Sequence, residues 1–414
     1  MDHLRQHDPA VAELISLEAK RQASVLRMIP SENYASHAVL EATGSCLSNK
    51  YSEGYAHFRY YQGQEYIDRI EDLAVERATT LFGAEHANLQ PYSGSPANMA
   101  VYFGLLKPGD RVMGMDLSAG GHLTHGAKVS FSGKFYQVRQ YGLDPATQLI
   151  DYEAARRLAK EWQPRLIFTG ASSYPRVIDF AAFRAIADEV GAYLVADISH
   201  ISGLCLSGDH PHPLPHVDVV TTTTHKTLRG PRGGMILCKG ALGPKIDKAV
   251  FPGLQGGPHN HVTAAIAVAL GEAARPDYAE YCHQVAKNAK ALAQGLRDRG
   301  FSLITGGTDN HLVLIDATAL GLTGKILAVA LEQAGIVANA NKIPFDPRPA
   351  DDPSGVRMGT PALTTRGLGE AEMEQVADLI HEVARDSSSS AALAQVKAKV
   401  EALCAQFPAP GLPA

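Results

Sequence analysis

The 414-residue chain is poor in cysteine and tryptophan, with five of the former and one of the latter, and it has no hydrophobic run long enough to cross a membrane. An odd number of cysteines without a Cys-X-X-Cys pair argues against a disulfide framework and is typical of a reducing compartment. The first eight residues lack the apolar core of a secretory signal. These absences predict a cytoplasmic protein.

An excess of charge of one sign is also missing. The net charge of −5 argues against nucleic acid or an anionic membrane as the main partner, so phosphate binding by this chain must be local. A hydrophobic content of 45% with 20% charged residues is that of a soluble globular enzyme, and the length allows two domains.

Strand-like and helical patterns alternate over the first two thirds of the chain. A predicted helix over 180–190 leads to an apolar strand that ends at Asp197, and this β-α-β order implies an α/β fold with a mostly parallel sheet. Near Pro276 the pattern changes to one long helix. We therefore predict a large domain over residues 1–278, including an N-terminal arm, and a smaller α+β domain over residues 279–414.

The stretch around Lys226 combines a buried strand with a reactive end. Residues 218–224 are mostly apolar and β-branched, and the sequence then becomes cationic and glycine-rich, which places Lys226 at a strand mouth. Partial burial and the nearby Arg229 and Arg232 favour the neutral amine, the nucleophile that forms a Schiff base with pyridoxal phosphate (PLP). A lone lysine is usually a surface residue, so this interpretation depends on the other motifs.

Three other segments are typical of a binding site. Asp197 closes its strand at the edge where ligands of α/β sheets bind, and it either meets a cation there or caps the next element. Ser93, Gly94 and Ser95 lie at a predicted helix start, whose N–H groups bind anions of phosphate size. Residues 49–63 hold four tyrosines and a glutamate without helical or strand period, which suits a binding loop.

Two groups of histidines raise the question of a metal. His122 and His125 form one group, and His210, His212 and His216 form the other. Neither group has a third type of ligand at a recognisable spacing, so we expect no metal site. The ring of His122 could instead stack on another flat ring.

Together these segments resemble the serine hydroxymethyltransferases, which are fold-type I PLP-dependent transferases with an aspartate aminotransferase-like fold. The match runs from about residue 29 to 366, and its most specific motifs are 221–234 and 120–126. The resemblance implies a large domain with a mostly parallel seven-stranded sheet and a smaller α+β C-terminal domain. It also implies a homodimer, or a tetramer, that serves one-carbon and amino-acid metabolism.

The resemblance further implies roles at the cofactor. Lys226 would hold PLP covalently, Asp197 would pair with the pyridine nitrogen and His122 would stack on the ring. The remaining contacts would be Ser172 and His200 at the phenolic oxygen, and Ser93, Gly94, Ser95 and His225 at the phosphate, completed by Tyr51 and Gly257 from the neighbouring subunit.

The amino acid and tetrahydrofolate would bind beside the cofactor. Arg357, helped by Ser31, would grip the substrate carboxylate in a fork that lysine cannot reproduce. Glu53 and Tyr61 would reach across the subunit interface to move a proton at the substrate hydroxyl, and Asn341 would contact the pterin of tetrahydrofolate. The implied reaction interconverts serine and glycine and transfers a one-carbon unit to or from tetrahydrofolate.

Several positions depart from the usual family pattern. Where the family usually has Tyr-Pro-Gly after Glu-Gly, this chain has Tyr55, Ala56, His57 and Phe58, and Gln62 replaces a usual glycine after the tyrosine pair. The other departures are Pro30, Ala119 and Ala340. Those at 56–58 and 62 lie beside Glu53 and Tyr61, which leaves the substrate open. The alternatives are an enzyme that forms or cleaves 2-methylserine with alanine as the acceptor, or a threonine-type aldolase. A non-catalytic paralogue would be expected to lose the lysine, aspartate or arginine anchor. All three are present in this chain, which disfavours that alternative.

Overall fold

The structure is a computed structural model that describes residues 2–412. Its N-terminal part contains short strands between helices: α1 (Asp2–His7), α2 (Pro9–Ser24), β1 (Leu26–Arg27), α3 (His37–Thr43), β2 (Gly54–Tyr55), β3 (Phe58–Arg59) and α4 (Glu65–Phe82). The predicted cap of α2 is confirmed, because the Asp8 carboxylate accepts a hydrogen bond from the Val11 N–H at 3.0 Å and Pro9 opens the helix.

A seven-stranded sheet forms the centre of the large unit. Its strands are β4 (His86–Asn88), β5 (Arg111–Met115), β6 (Gln137–Tyr141), β7 (Leu166–Thr169), β8 (Tyr193–Asp197), β9 (Val219–Thr223) and β10 (Gly234–Cys238). They lie in the order β4-β10-β9-β8-β7-β5-β6, and β10 pairs antiparallel with both its neighbours while β5 to β9 pair in parallel. The mostly parallel sheet expected from the β-α-β order is confirmed.

Helices cover both faces of this sheet. They are α5 (Gly94–Leu105), α6 (Phe131–Phe135), α7 (Tyr152–Trp162), α8 (Phe180–Val190), α9 (Ser202–Ser207), α10 (Gly243–Lys248), α11 (Asn260–Ala273) and α12 (Pro276–Asp298). Successive residues of a strand face opposite sides. On β8, Leu194 packs in one hydrophobic core with Phe183, while Val195 packs in the other with Phe168.

The C-terminal part forms a second α+β unit. Its elements are β11 (Ser302–Leu303), β12 (Leu312–Asp316), α13 (Gly324–Gln333), β13 (Ile336–Val337), β14 (Asn339–Asn341), β15 (Gly355–Gly359), α14 (Pro361–Thr365), α15 (Glu370–Arg385) and α16 (Ser390–Gln406). A four-stranded antiparallel sheet, in the order β11-β12-β15-β14, packs against these helices. Within residues 2–412, no helix is both long and apolar enough to cross a membrane.

The helix α12 connects the two units. Tyr281 and Val285 pack in the first core, and Leu292 and Leu296 pack in the second. We propose the predicted division between residues 278 and 279, within this helix, as the domain boundary along the chain. The N-terminal segment crosses that division in space, because β1 pairs with β13 and buries Leu26 in the second core.

Candidate active site

A cavity of about 710 Å³ opens where the two units meet, at the carboxyl ends of β7, β8 and β9. This is the edge at which parallel α/β sheets bind ligands. Twelve of the sixteen predicted site residues line it: Ser31, Ser93, Gly94, Ser95, His122, Ser172, Asp197, His200, His225, Lys226, Asn341 and Arg357.

Lys226 follows β9, and its amine has no salt bridge to any of the described residues. Burial lowers the pKa of Lys226 to about 8; the charge of Asp197 opposes this shift, while the charges of Arg357 and Arg232 add to it. The expectation that Arg229 acts on the amine is wrong. Its guanidinium lies 4.2 Å from the centre of the Tyr281 ring, because the chain turns away after Lys226.

Asp197, at the end of β8, is buried and fully hydrogen-bonded. Its Oδ2 lies 3.1 Å from His125 Nε2 and accepts a hydrogen bond from Asn98 Nδ2 at 2.8 Å, while Oδ1 accepts from the Ser199 N–H at 3.0 Å. Burial raises the pKa of Asp197, but the hydrogen bond from His125 and the charges of His125 and His122 together lower it below its usual range. The side chain is therefore an anion at neutral pH.

The folded chain brings a third type of potential ligand, a carboxylate, close to His122 and His125. One potential ligand atom each from His122, His125 and Asp197 lies within 4.8 Å of the others. Spacing could not show this, because Asp197 lies 72 residues beyond His125 in the sequence. The carboxylate oxygen already contacts His125 and Asn98, so we assign these groups to the cofactor site rather than to a metal.

The first turn of α5 forms an anion cradle beside Lys226. Ser93 is the N-cap residue and its side chain makes no capping hydrogen bond, so its hydroxyl and the first N–H groups of the helix can serve a ligand. A Cβ at Gly94 would lie 2.7 Å from Thr223 Cγ2, so any larger residue requires the helix start or the Thr223 side chain to shift. The Nδ1 of His225 is buried without a partner among the described residues. These features fit the phosphate group of PLP.

The two other cavity histidines are neutral rings at pH 7. Burial and the neighbouring His125 lower the pKa of His122 to about 4. Burial and the charge of Lys226 hold the pKa of His200 well below its usual range, and its Nδ1 lies 3.2 Å from Nε2 of His311. A neutral His122 can stack on a positively charged pyridine ring without charge repulsion.

Arg357 reaches the cavity from β15 of the second unit. Its Nη1 donates to the Ser172 carbonyl at 2.7 Å and its Nε donates to Asn339 Oδ1 at 3.1 Å. Its Nη2 makes no hydrogen bond with the part of the chain that the structure describes and can bind a carboxylate. Burial lowers the pKa of Arg357 to about 10, so it is still a cation at pH 7. Asn341 lies nearby, with Nδ2 3.4 Å from Ser173 Oγ.

The remaining four predicted residues lie outside this cavity and close to one another. The rings of Tyr51 and Tyr61 are 5.4 Å apart, and a Cβ at Gly257 would lie 3.1 Å from the Tyr51 ring. The charge of Glu53 raises the pKa of Tyr61. These are the residues expected to serve the neighbouring subunit, and that expectation stays a prediction.

Sequence reasoning missed several residues that hold the site together. Asn98 and Ser199 fix Asp197, and His311 contacts His200 from the second unit. A polar pair, Asn310 and His311, before an apolar strand was a usable signal for the last of these.

A strand-mouth lysine, a buried carboxylate and a phosphate cradle at a helix N-terminus define a fold-type I PLP-dependent enzyme. The sequence model of the serine hydroxymethyltransferase family matches residues 4–380. A serine hydroxymethyltransferase of Sorangium cellulosum (strain So ce56) is 58% identical over 409 residues, which cover 99% of this chain and 97% of the relative.

Two further relatives carry the same name. The one from Desulfotalea psychrophila (strain LSv54 / DSM 12343) is 56% identical over 412 residues, covering 100% of this chain and 97% of its own length. The one from Acidothermus cellulolyticus (strain ATCC 43068 / DSM 8971 / 11B) is 56% identical over 411 residues, covering 98% and 96%. The chain belongs to the serine hydroxymethyltransferase family.

This membership confirms the predicted fold type and enzyme class, a hydroxymethyltransferase that uses PLP and tetrahydrofolate to interconvert serine and glycine. None of the three relatives has a name that favours 2-methylserine or a threonine aldolase.

Proposed function

We propose that the cavity at the junction of the two units is the site of this reaction. The observation that carries the proposal is that one cavity contains an amine with a lowered pKa, a buried carboxylate, a phosphate cradle and a buried arginine. When PLP is bound there, it supplies the electron sink that makes breaking the Cα–Cβ bond of serine feasible.

The residues of the large unit hold the cofactor. Lys226 attaches to it, Asp197 keeps its pyridine nitrogen protonated, and His122 stacks on its ring. The other contacts are Ser172 and His200 at the phenolic oxygen, and Ser93, Gly94, Ser95 and His225 at the phosphate. In support, Asp197 is an anion in a site that is otherwise rich in cations and neutral rings.

The substrates lie between the two units. Arg357 binds the amino-acid carboxylate through its free Nη2, and Ser31 helps to orient it. Asn341 contacts the pterin of tetrahydrofolate. Arg357 belongs to the second unit and Lys226 to the first, so the substrate is held between residues of both units.

The proton steps at the substrate hydroxyl belong to Glu53 and Tyr61 of the neighbouring subunit, and Tyr51 and Gly257 of that subunit complete the phosphate site. Two facts support a homodimer with shared sites. These four residues lie together but away from their own chain's cavity, and Tyr51 and Tyr61 are exposed by 56% and 45%.

We also propose a cytoplasmic location, supported by five free cysteines, four of them buried.

Mixing two inactive variants tests the shared site. Lys226→Ala and Glu53→Gln each disable both sites of their own homodimer. A hybrid dimer has one intact site, formed by Lys226 of one subunit and Glu53 of the other, so refolding an equal mixture restores roughly a quarter of the wild-type kcat. The control mixes Lys226→Ala with Asp197→Asn. Because one subunit supplies both of these residues to a site, no site of the hybrid dimer is intact and the mixture stays inactive. No recovery in the first mixture contradicts sites shared across the interface.

The substrate assignment is tested with serine, 2-methylserine and threonine, each with and without tetrahydrofolate. Serine with tetrahydrofolate is expected to give the highest kcat/KM. A slow serine reaction that is indifferent to folate contradicts the assignment.

A further inference from the structure

The loop between β7 and α8, residues 170–179, places Ser172 in the cavity lining. On the side away from the cavity, residues of the second unit contact this loop. We propose that Arg176 in this loop is a positioning residue that fixes Arg357, and so the grip on the substrate carboxylate. The inference rests on the proposed role of Arg357.

On its cavity side the loop supports Arg357 directly. The Ser172 carbonyl accepts the hydrogen bond from Arg357 Nη1 at 2.7 Å, and the Ser172 N–H donates to the Gly120 carbonyl at 2.7 Å. The guanidinium therefore has two protein anchors, Ser172 on the large unit and Asn339 on its own sheet. A shift of the loop removes the first anchor.

On its outer side, the loop contacts the second unit through the guanidinium of Arg176. Arg176 donates from Nε to Thr305 Oγ1 at 2.9 Å, from Nη2 to the Thr305 carbonyl at 2.5 Å and from Nη1 to Asp309 Oδ1 at 2.8 Å. The side chain of Arg176 is 25% exposed and that of Asp309 is 38% exposed. A planar guanidinium satisfies three acceptors in fixed directions, which the single amine of lysine cannot do.

Backbone contacts add to those of Arg176. The Pro175 carbonyl accepts hydrogen bonds from the Asp309 N–H at 2.8 Å and from Thr308 Oγ1 at 3.1 Å, and the Tyr174 carbonyl accepts from Asn310 Nδ2 at 3.0 Å. Three consecutive loop residues, 174–176, thus contact residues 305–310 of the second unit.

The contacts close into a ring around the substrate site. Residues 305–310 lead directly into β12, where Leu314 lies opposite Arg357 of β15. Arg357 is therefore joined to the loop twice: through its own hydrogen bond to Ser172, and through β12, Asp309 and Arg176. Without Arg176, the loop loses its charged contact with Asp309 and is held to residues 305–310 only by the hydrogen bonds to the Tyr174 and Pro175 carbonyls, so Ser172 holds Arg357 less firmly.

The test separates substrate binding from chemistry. Arg176→Met is expected to raise KM for serine about tenfold while kcat stays within about twofold, because the carboxylate is gripped equally in the ground state and the transition state. Arg176→Lys gives an intermediate KM. Asp309→Asn, which removes the partner's charge without changing its size, raises KM in the same direction and serves if Arg176→Met folds poorly.

Two controls give the result its meaning. Ethanolamine is serine without its carboxylate, so its inhibition constant is expected to be unchanged in Arg176→Met. Arg139→Met breaks an ion pair with Glu161 at the sheet edge; neither residue lines the cavity, so KM is expected to stay unchanged.

Three results overturn the proposal. KM within twofold of wild type in both Arg176→Met and Asp309→Asn does so, as does an equal weakening of serine and ethanolamine. Arg357→Lys distinguishes the sources of failure. If it raises KM while the Arg176 variants do not, only the positioning role is lost; if it leaves KM unchanged, the carboxylate role of Arg357 and this inference both fall.

Discussion

At the scale of single residues, the reactivity of Lys226 comes from its surroundings. A lysine with an ordinary pKa of 10.5 is neutral in about one molecule in three thousand at pH 7, whereas a pKa of about 8 makes about one in ten neutral. The shift is net downward because burial and two arginines outweigh Asp197. The amine is therefore available without a separate base to deprotonate it.

This predicts how PLP attaches to the cofactor-free protein. The rate of attachment is expected to rise with pH as the neutral amine accumulates and to level off above about pH 8. Stopped-flow measurement of visible absorbance gives the rate. Arg232→Met removes a cation that lowers the pKa and shifts the midpoint to higher pH, and Lys226→Ala gives no signal. A rate that is constant from pH 6.5 to 9 contradicts the prediction.

Whether a site residue could be predicted from the sequence depends on whether it lies in a contiguous motif. Lys226, His122 and His225 lie in contiguous motifs, and the structure brings them into one cavity. The contacts of Asn98 with Asp197 and of His311 with His200 could not be predicted in this way, because each pair is separated by about a hundred residues in the sequence. Only the folded backbone makes those pairs neighbours.

At the scale of elements, the N-terminus of α5 depends on the absence of a side chain at one position. Gly94→Ala places a Cβ 2.7 Å from Thr223 Cγ2 and pushes the first turn away from its position. We expect the dissociation constant of PLP to rise about tenfold or more, while that of pyridoxal, which lacks the phosphate, changes little. Gly142→Ala is the matched control, since its Cβ meets nothing within 4 Å. Equal weakening of PLP and pyridoxal contradicts a phosphate role.

In the β2–β3 hairpin, a histidine adopts a backbone conformation that favours glycine. His57 has a φ of 66°, the left-handed conformation that glycine adopts most easily, and its ring Nε2 lies 2.9 Å from Asp72 Oδ2. The hairpin places Glu53 just before β2, so its geometry bears on the proton steps. His57 adopts this conformation as the turn requires, with its ring held by Asp72 and its N–H by Asp68.

We therefore expect the departure at Ala56 and His57 to have no effect on the choice of substrate. The double variant Ala56→Pro/His57→Gly, which restores the usual family pattern, is expected to keep the ratio of kcat/KM for serine over 2-methylserine within about threefold. Steady-state kinetics with both substrates measure the ratio, and Asp72→Asn tests the ion pair alone. A tenfold change in the ratio shows that the turn sets specificity.

Helices and strands with a strong hydrophobic periodicity were predicted well, and very short strands were not. The helix over 180–190 and the strand ending at Asp197 lie where the hydrophobic pattern predicted them. Strands β1 and β13 have two residues each and pair across the whole chain, so no local pattern marks them. Their pairing is decided by burial in the second core.

At the scale of the whole molecule, buried histidines make stability depend on pH. The folded-state pKa values of His122, His225 and His311 fall from 6.5 to about 4, 3 and 3, mainly through burial. Above pH 6.5 these histidines are neutral in both the folded and the unfolded state, so the folded state has its full stability there. Below it, only the unfolded chain takes up these protons, so the folded state loses stability until the folded-state pKa is reached.

The expected slope is about 1 kcal/mol per pH unit for each histidine between pH 6.5 and 4. Urea denaturation of the cofactor-free protein at pH 7, 6 and 5 measures the free energy of unfolding. His311→Asn is expected to reduce the slope by about 1 kcal/mol per pH unit, the contribution of that histidine. A free energy of unfolding that is the same at pH 7 and pH 5 contradicts the prediction.

The pairing of β1 with β13 has a consequence for biosynthesis. Leu26 leaves the ribosome early, yet its partner Ile336 is made more than three hundred residues later. Since Leu26 and Met28 are wholly buried among residues of the C-terminal unit, they stay exposed while the seven-stranded sheet assembles. The smaller core can therefore close only after nearly the whole polypeptide has been translated, and a nascent chain halted near residue 300 presents this apolar segment to chaperones.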